Sequence, residues 1–379
     1  MAAVDKNVVA LGWVSFFTDL ASAMITPLLP VYVVTVLHEG MDKLGVIVAL
    51  ATFVSYALRL VSGYLSDRYG IVKPLVVTGY TLSAFSKPLL AFAQHWQGVA
   101  ALRATERLGK ALRSAPKDAM IAAYGGKRQG RTFGFHKTMD IAGELTGMFV
   151  VFVLLYRLGS SEAVIRDIFL WTLLPGLAGV AVLLLFVRDV PKRPEPTAAF
   201  TLNPADRAVL HGLLPYFVFL FFMFGDAFFT MQAKTAGIAT ATLPLLFMVS
   251  TGVQTLASYA VGIGVDRYGA PRLLGIGLVA GTAAQALLWP VHPAATWAAY
   301  ALMGFFTVTT LNAARAHIAA NAEHRASVYG VFYAAVALCG GLGATLAGWL
   351  WEYVSMPAAL GTALAGTAAA TGWYLMRSR

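Results

Sequence analysis

The stretch "LRATERLGKALRSAPKD", residues 102–118, places seven charged residues between apolar segments of a chain that is 58% hydrophobic and only 12% charged. On a helix at 100° per residue, Arg103, Glu106, Arg107, Lys110, Arg113, Lys117 and Asp118 fall within an arc of about 140°, and Leu102, Leu108 and Leu112 cover the rest. Two kinds of chemistry suit such a stripe. Its cations can hold an anionic ligand, or its cations and carboxylates can neutralise one another in a buried ion-pair network. Further along, His136, Lys137, Asp140 and Glu144 share an arc of about 100°, which lets that helix offer carboxylates to the first stripe. Asp19, in "SFFTD", and Asp226, in "FMFGD", stand at corresponding places in the two halves of the chain. An acid withdrawn from water is disfavoured as a carboxylate and is suited to carrying a proton. Asp19, Glu106, Asp140 and Glu144 are therefore the candidate proton-coupling groups.

The elements that must position these groups are set by hydropathy. With 379 residues, 23 of them Phe, and a mean hydropathy of +0.69, the chain has too little polar surface to cover a soluble core. Apolar runs of about twenty residues recur from end to end, each long enough to cross roughly 30 Å of hydrocarbon as a helix. Twelve spans are read: 8–35, 44–65, 74–94, 97–123, 132–156, 165–187, 208–232, 240–263, 271–291, 294–320, 326–351 and 357–376. The first begins by residue 8 and holds Asp19 and two prolines, which argues against a cleaved signal peptide. A charged residue facing lipid at mid-bilayer costs roughly 2.5–3.5 kcal/mol, so the fourth span must turn its stripe toward protein or water.

The net charge of +10 follows the positive-inside pattern if the amino terminus is cytoplasmic, and nucleic acid is not an expected partner. Both termini are then cytoplasmic, and a location in the cytoplasmic (inner) membrane is expected. Cys339 is the single cysteine, so no intramolecular disulfide can form, and no metal site or cofactor motif is visible.

"GYLSDRYG" at 63–70 returns as "GIGVDRYG" at 262–269, and "IAAYGGKRQGRTFG" at 121–134 returns as "IAANAEHRASVYG" at 318–330. The near-equal offsets divide the chain into a six-helix half at 1–187, a proline-rich cytoplasmic linker at 188–207 and a second six-helix half at 208–379. A G-x-x-x-D-R-x-G loop after the second helix and again after the eighth resembles the major facilitator superfamily of secondary transporters. "SFFTDLASAMITPLLP" and "ERLGKALRSAPKDAMIA" also resemble a bacterial branch of it near drug and metabolite efflux permeases.

The resemblance implies an all-α membrane protein of twelve transmembrane helices in two pseudo-symmetric bundles, working as a monomer by rocking them about a central cavity. It implies that the first, fourth, seventh and tenth helices line that cavity, with Arg103, Glu106, Arg107, Lys110, Arg113, Asp226 and Asn312 as substrate contacts beside an aromatic seventh helix. Gly63, Asp67, Arg68, Gly70 and Arg131, with Gly262, Asp266, Arg267 and Gly269, become the gating loops. Gly134, Gly143 and Gly147 resemble the fifth-helix glycine pattern of antiporters, with Met148 where those carry proline.

The function expected is proton-coupled export of a small amphipathic anionic or zwitterionic solute rather than enzymatic catalysis. Import of an organic anion, export of a divalent metal and a non-transporting sensor or enzyme are the alternatives. If the paired loops are gates, Asp67→Asn and Asp266→Asn will slow transport in proteoliposomes without weakening substrate binding, and wild-type rates in both variants would reject the assignment.

Overall fold

Every apolar run is helical for one reason: a helix satisfies its own backbone amides, and the prolines decide where the hydrogen-bond ladder breaks. A computed structural model describes residues 5–126, 129–190 and 200–377, apart from the side chains at 57, 59–61, 63–65 and 67. Arg59, Gly63 and Asp67 therefore lie outside the described side chains, and the expected linker is described only at its ends.

The first six spans are α1 (Lys6–Ile25, continued by Leu29–Val31 and a π turn at Tyr32–Val36), α2 (Met41–Tyr69), α3 (Lys73–Leu89), α4 (Trp96–Gly125), α5 (Gln129–Leu158) and α6 (Glu162–Trp171 and Leu173–Phe186). The second six are α7 (Pro204–Gly212, Leu214–Phe222 and Asp226–Thr235), α8 (Leu243–Tyr268), α9 (Ala270–Ala286), α10 (Pro293–Asn321), α11 (Arg325–Tyr353) and α12 (Met356–Arg377). The described residues contain no strand. Eight of these spans are long and apolar enough to cross a membrane on their own composition. The twelve-helix, all-α fold is thus the one the hydropathy demanded.

The chain divides into two compact units, residues 1–37 with 50–198, and residues 38–49 with 199–379. In the first, α1 packs on α5 and α6, and α3 on α4 and α6; in the second, α7 packs on α11 and α12, and α9 on α10 and α12. The same pairings recur under the shift of about two hundred residues that relates the sequence motifs. Residues 38–49, the start of α2, belong with the second unit because they lie against α11. Met41 N donates to Glu352 Oε2 at 2.8 Å, and a Cβ on Gly348 would strike the Met41 carbonyl.

Glycine makes the two bundles alike in detail. A Cβ on Gly143 of α5 would fall on the Phe16 carbonyl of α1, and one on Gly343 of α11 would fall on the Phe221 carbonyl of α7. Gly147 meets the Leu20 carbonyl in the same way, whereas Gly134 has nothing within 4 Å. The α5 glycine pattern is therefore a contact surface at two of its three positions. At the repeated loops, Gly70 (φ +67°) and Gly269 (φ +87°) hold the left-handed backbone that ends each helix. Gly262 of the second loop faces open space.

One local reading is corrected. The linker ends before 203, since Asn203 caps α7 with a capping box and makes Asp206 and Arg207 part of its first turn. Pro116 sits inside α4 without terminating it. Gly143→Ala is expected to destabilise the protein by about 1–3 kcal/mol through overpacking, with Gly134→Ala neutral or slightly stabilising. Melting temperatures of the two purified variants check the contrast, and equal behaviour would refute the α1–α5 contact.

Candidate functional site

Among the described residues, three cations of the first unit are buried, and each has partners that hold it in place. Arg103 and Glu106, one turn apart on α4, form an ion pair with side chains only 7% and 6% exposed. Arg113 donates to Ser83 Oγ at 2.6 Å and to the Gly79 carbonyl, and its guanidinium lies 4.4 Å from the centre of the Tyr80 ring. That approach of α4 to α3 depends on Gly79 and Gly109, each of which would drive a Cβ into the other's carbonyl. Lys87 of α3, fully buried, donates through Nζ to the Thr18 carbonyl of α1 at 3.1 Å. Buried cations are tolerable only when paired or hydrogen-bonded in this manner.

The stripe of α4 is therefore split. Arg103, Glu106 and Arg113 turn inward and are consumed by packing. Arg107 is half-buried and Lys110 exposed, and among the described residues neither makes a hydrogen bond or ion pair. Lys117 lies 3.7 Å from Asp118. Asp19, half-buried in the middle of α1, makes no hydrogen bond among the described residues, but it is within electrostatic reach of Lys87, Lys110 and His136.

Of the α5 carboxylates, Asp140 is within electrostatic reach of Lys117 on α4. Asp140 faces His136 on its own helix, with Oδ1 3.4 Å from Nδ1. His136 Nε2 meets Ser15 Oγ of α1 at 2.8 Å, and Ser15 Oγ lies 3.3 Å from the Tyr80 hydroxyl of α3. Glu144, on the same helix, has a half-buried side chain.

In the second unit, Asp226 is the first residue of the last segment of α7, after a break at 223–225. α1, by contrast, runs unbroken through Asp19, so the two aspartates share a motif without sharing a backbone setting. The amide freed at Phe224 donates to Gln285 Oε1 of α9 at 2.6 Å, and Gln285 Nε2 donates to Thr367 Oγ1 of α12 at 2.9 Å.

The phenylalanines of α7, expected to be a soft pocket wall, are mostly core. Phe219 packs on Phe306, Phe217 on Phe332, and Phe224 and Phe228 on Trp351. An amphipathic pattern cannot distinguish the two, because packing and a wet pocket both select aromatic side chains. Asn312 is half-buried on α10, and the Thr309 hydroxyl one turn earlier is buried without a hydrogen bond.

At the gating loops, Asp266 is exposed and makes no ion pair among the described residues, while Arg267 lies 5.3 Å from the Tyr268 ring. Arg68 and Arg131 are exposed. Asp206, previously assigned to the linker, is fully buried. It accepts hydrogen bonds from the Glu323 amide at 2.9 Å and from His324 Nδ1 at 2.7 Å, tying the start of α7 to the α10–α11 loop. The capping signal N-x-x-D before an apolar run was its one legible trace.

Twelve helices in two repeats, eight of them long and apolar enough to cross a membrane, define a multi-pass membrane protein. The model of the Major Facilitator Superfamily matches residues 11–344, and the chain belongs to that superfamily. It is 27% identical to an uncharacterized MFS-type transporter of Methanocaldococcus jannaschii, over 92% of this chain and 89% of that one. It is 30% identical to an uncharacterized protein of Mycobacterium tuberculosis H37Rv, over 81% of this chain and 78% of that one. Among solved structures, the nucleoside transporter NupG superposes with a TM-score of 0.79 at 14% identity, over 98% of this chain and 99% of that one. An inward-facing, occupied bacterial homologue of the lysosomal transporter Spinster does so at 0.74 and 15%, over 98% and 96%. These structures share the fold.

The buried pair has a direct consequence. Arg103→Gln strands the Glu106 carboxylate and is expected to cost about 3–5 kcal/mol, largely recovered in the double variant Arg103→Gln with Glu106→Gln. Arg107→Gln leaves no partner behind and will shift the melting temperature little. A single-variant loss that the double variant does not recover would disprove the pairing.

Proposed function

We propose that the chain is a proton-coupled secondary transporter that exports a small amphipathic anionic or zwitterionic solute. The observation that carries this reading is the pair of cations, Arg107 and Lys110, on a helix whose other central charges are already neutralised or hydrogen-bonded. A cation with a protein partner has little field left to offer, whereas one without a partner in a low-dielectric setting attracts an anion far more strongly than it would in water. The inward half of the stripe gives α4 its rigidity, and the outward half gives it a ligand surface. Glu106 is held by Arg103, which leaves Asp19 and Asp140, with Glu144, as the acids able to exchange a proton during the cycle.

Export follows from coupling to a proton gradient directed into the cell, which drives an antiported solute outward. The positive-inside distribution supports cytoplasmic termini, and the reading takes the cytoplasmic membrane as the protein's location. The fold needs no second copy to complete α4, and we take the monomer as the working unit. The loops ending in Gly70 and Gly269 are the gates of this reading, with Arg131 proposed as a partner of the first.

The test is solute flux in proteoliposomes carrying a pH gradient, screened over small organic anions, zwitterions and neutral analogues of similar size. Anions and zwitterions are expected to accumulate against the proton gradient. Arg107→Gln and Lys110→Gln are each expected to weaken binding by about 1.5–3 kcal/mol, the worth of a charge-assisted hydrogen bond, without loss of folding. Equal transport of neutral analogues, or unchanged anion affinity in both variants, would overturn the reading.

A further inference from the structure

We propose that the proton is bound between His136 and Asp140 on α5, with Ser15 and Tyr80 completing a hydrogen-bond chain that reports its presence to α1, α3 and α4. The inference rests on the proton-coupled reading above and assigns that proton a place. His136 is 4% exposed, on the face of α5 that packs against α1. Its two ring nitrogens are unequally served. Nε2 lies 2.8 Å from Ser15 Oγ, while Nδ1 lies 3.4 Å from an Asp140 oxygen that is buried and has no hydrogen bond.

The chain Tyr80, Ser15, His136 has two polarities. If Tyr80 donates to Ser15 and Ser15 to Nε2, the ring hydrogen sits on Nδ1, and the 3.4 Å separation is too long for a normal hydrogen bond to Asp140. If Nε2 donates to Ser15 and Ser15 to Tyr80, Nδ1 carries a lone pair and two acceptors face each other. Either way a neutral ring leaves the Asp140 oxygen unsatisfied, at a cost typical of a buried polar group without a partner. The imidazolium donates through Nε2 to Ser15 and, at the same 3.4 Å, attracts the buried carboxylate as an ion pair, which a neutral ring does not.

One proton therefore turns this buried contact into an ion pair. The bookkeeping is a bare proton transfer: a proton from water adds to the ring, no other bond is broken, and the same proton is released when the cycle exposes the site to the other side. Asp140 has a side chain 19% exposed, which gives water access to the carboxylate and a route for the proton.

The charged and titratable groups around the ring come from each neighbouring element. α1 brings Asp19, α4 brings Lys117 and α5 itself brings Lys137, with Asp140 on the same helix and Tyr80 from α3 beyond Ser15. The Leu173–Phe186 segment of α6 is wholly apolar. Two carboxylates and two ammonium groups balance, so the proton adds one net positive charge to a neutral setting.

Binding also has a structural readout. When the imidazolium donates to Ser15, Ser15 donates onward and Tyr80 turns from donor to acceptor. The Tyr80 ring lies under Arg113 of α4, whose guanidinium holds Ser83 and Gly79 of α3. A proton on α5 is thus felt at the helix that carries Arg107 and Lys110, through contiguous hydrogen bonds and one cation–π contact.

The experiment needs no transported solute. Full-length protein is reconstituted in liposomes on a solid-supported membrane, and the transient current is recorded when external pH is dropped. Wild type is expected to give a saturable proton-binding current. His136→Gln and Asp140→Asn lose it; Ser15→Ala and Tyr80→Phe retain it with a displaced pH midpoint; Glu162→Gln, an exposed carboxylate paired with Arg166, leaves it unchanged.

Gel filtration and melting curves establish that each variant is folded, and the near-isosteric Asp140→Asn decides the matter if His136→Gln does not fold. A wild-type current in folded Asp140→Asn or His136→Gln, or a current lost in Asp19→Asn but kept in both α5 variants, overturns the proposal. Absence of any current in wild type alongside measurable solute transport would instead reject proton coupling itself.

Discussion

Burying a guanidinium in a membrane-spanning helix is tolerable only if a partner comes with it, and the pairing of Arg103 with Glu106 on α4 is the arrangement the rest of the first unit depends on. The pair lets α4 carry charge through the bundle without exposing it to lipid. Its neighbour Arg113 is secured on α3 by Ser83 and Tyr80, and this contact exists because Gly79 and Gly109 let the two backbones approach. Small residues and buried cations are thus one device. The glycines bring the helices close enough for a side-chain cation to reach a neighbouring hydroxyl or carbonyl, and those bonds compensate the desolvation of the charge. What is left over, Arg107 and Lys110, makes no hydrogen bond or ion pair among the described residues.

The second unit solves the same packing problem with different chemistry. Gly343 repeats the role of Gly143 against the matching helix, so the backbone approach is preserved between the halves. The polar content is not. Where the first unit buries Lys87, Arg103 and Arg113, the second buries Gln285, which accepts from the amide freed at the break in α7 and donates to Thr367. A broken helix in a bilayer must have its amides taken up by protein, and a neutral glutamine does this without adding charge. The buried cations of the first unit thus have no counterpart among the described residues of the second, whose buried charge is the Asp206 carboxylate at the start of α7.

His136 shows how a buried polar chain can be both structural and responsive. Its contacts with Ser15 hold α5 to α1, and through Tyr80 they extend to α3. A chain of hydroxyls and an imidazole can reverse its donor direction without moving heavy atoms far, so it can register a proton at small structural cost. Asp206 performs a simpler task in the second unit. Fully buried and supplied with donors from residues 323 and 324, it fixes the entry of α7 to the loop between α10 and α11.

Hydropathy and spacing determined the architecture. Runs of about twenty apolar residues can only be helices in hydrocarbon, and the duplicated glycine–aspartate–arginine–glycine loops with equal offsets revealed two related halves of the Major Facilitator Superfamily. The charged face of α4 was legible too, because a single helix places residues by angle alone. What the sequence could not decide was which of those charges meet each other. Arg103 is closer in angle to Arg107, at about 40°, than to Glu106, at about 60°, and only the packing of α3 against Gly109 turns Arg103, Glu106 and Arg113 inward and leaves Arg107 and Lys110 outside. The aromatic run of α7 reads equally well as pocket or core until Phe306, Phe332 and Trp351 are found against it. Ser15 and His136 stand 121 residues apart, and no spacing rule connects them. Their meeting was decided by the tertiary structure, through the glycine contacts that press α5 onto α1.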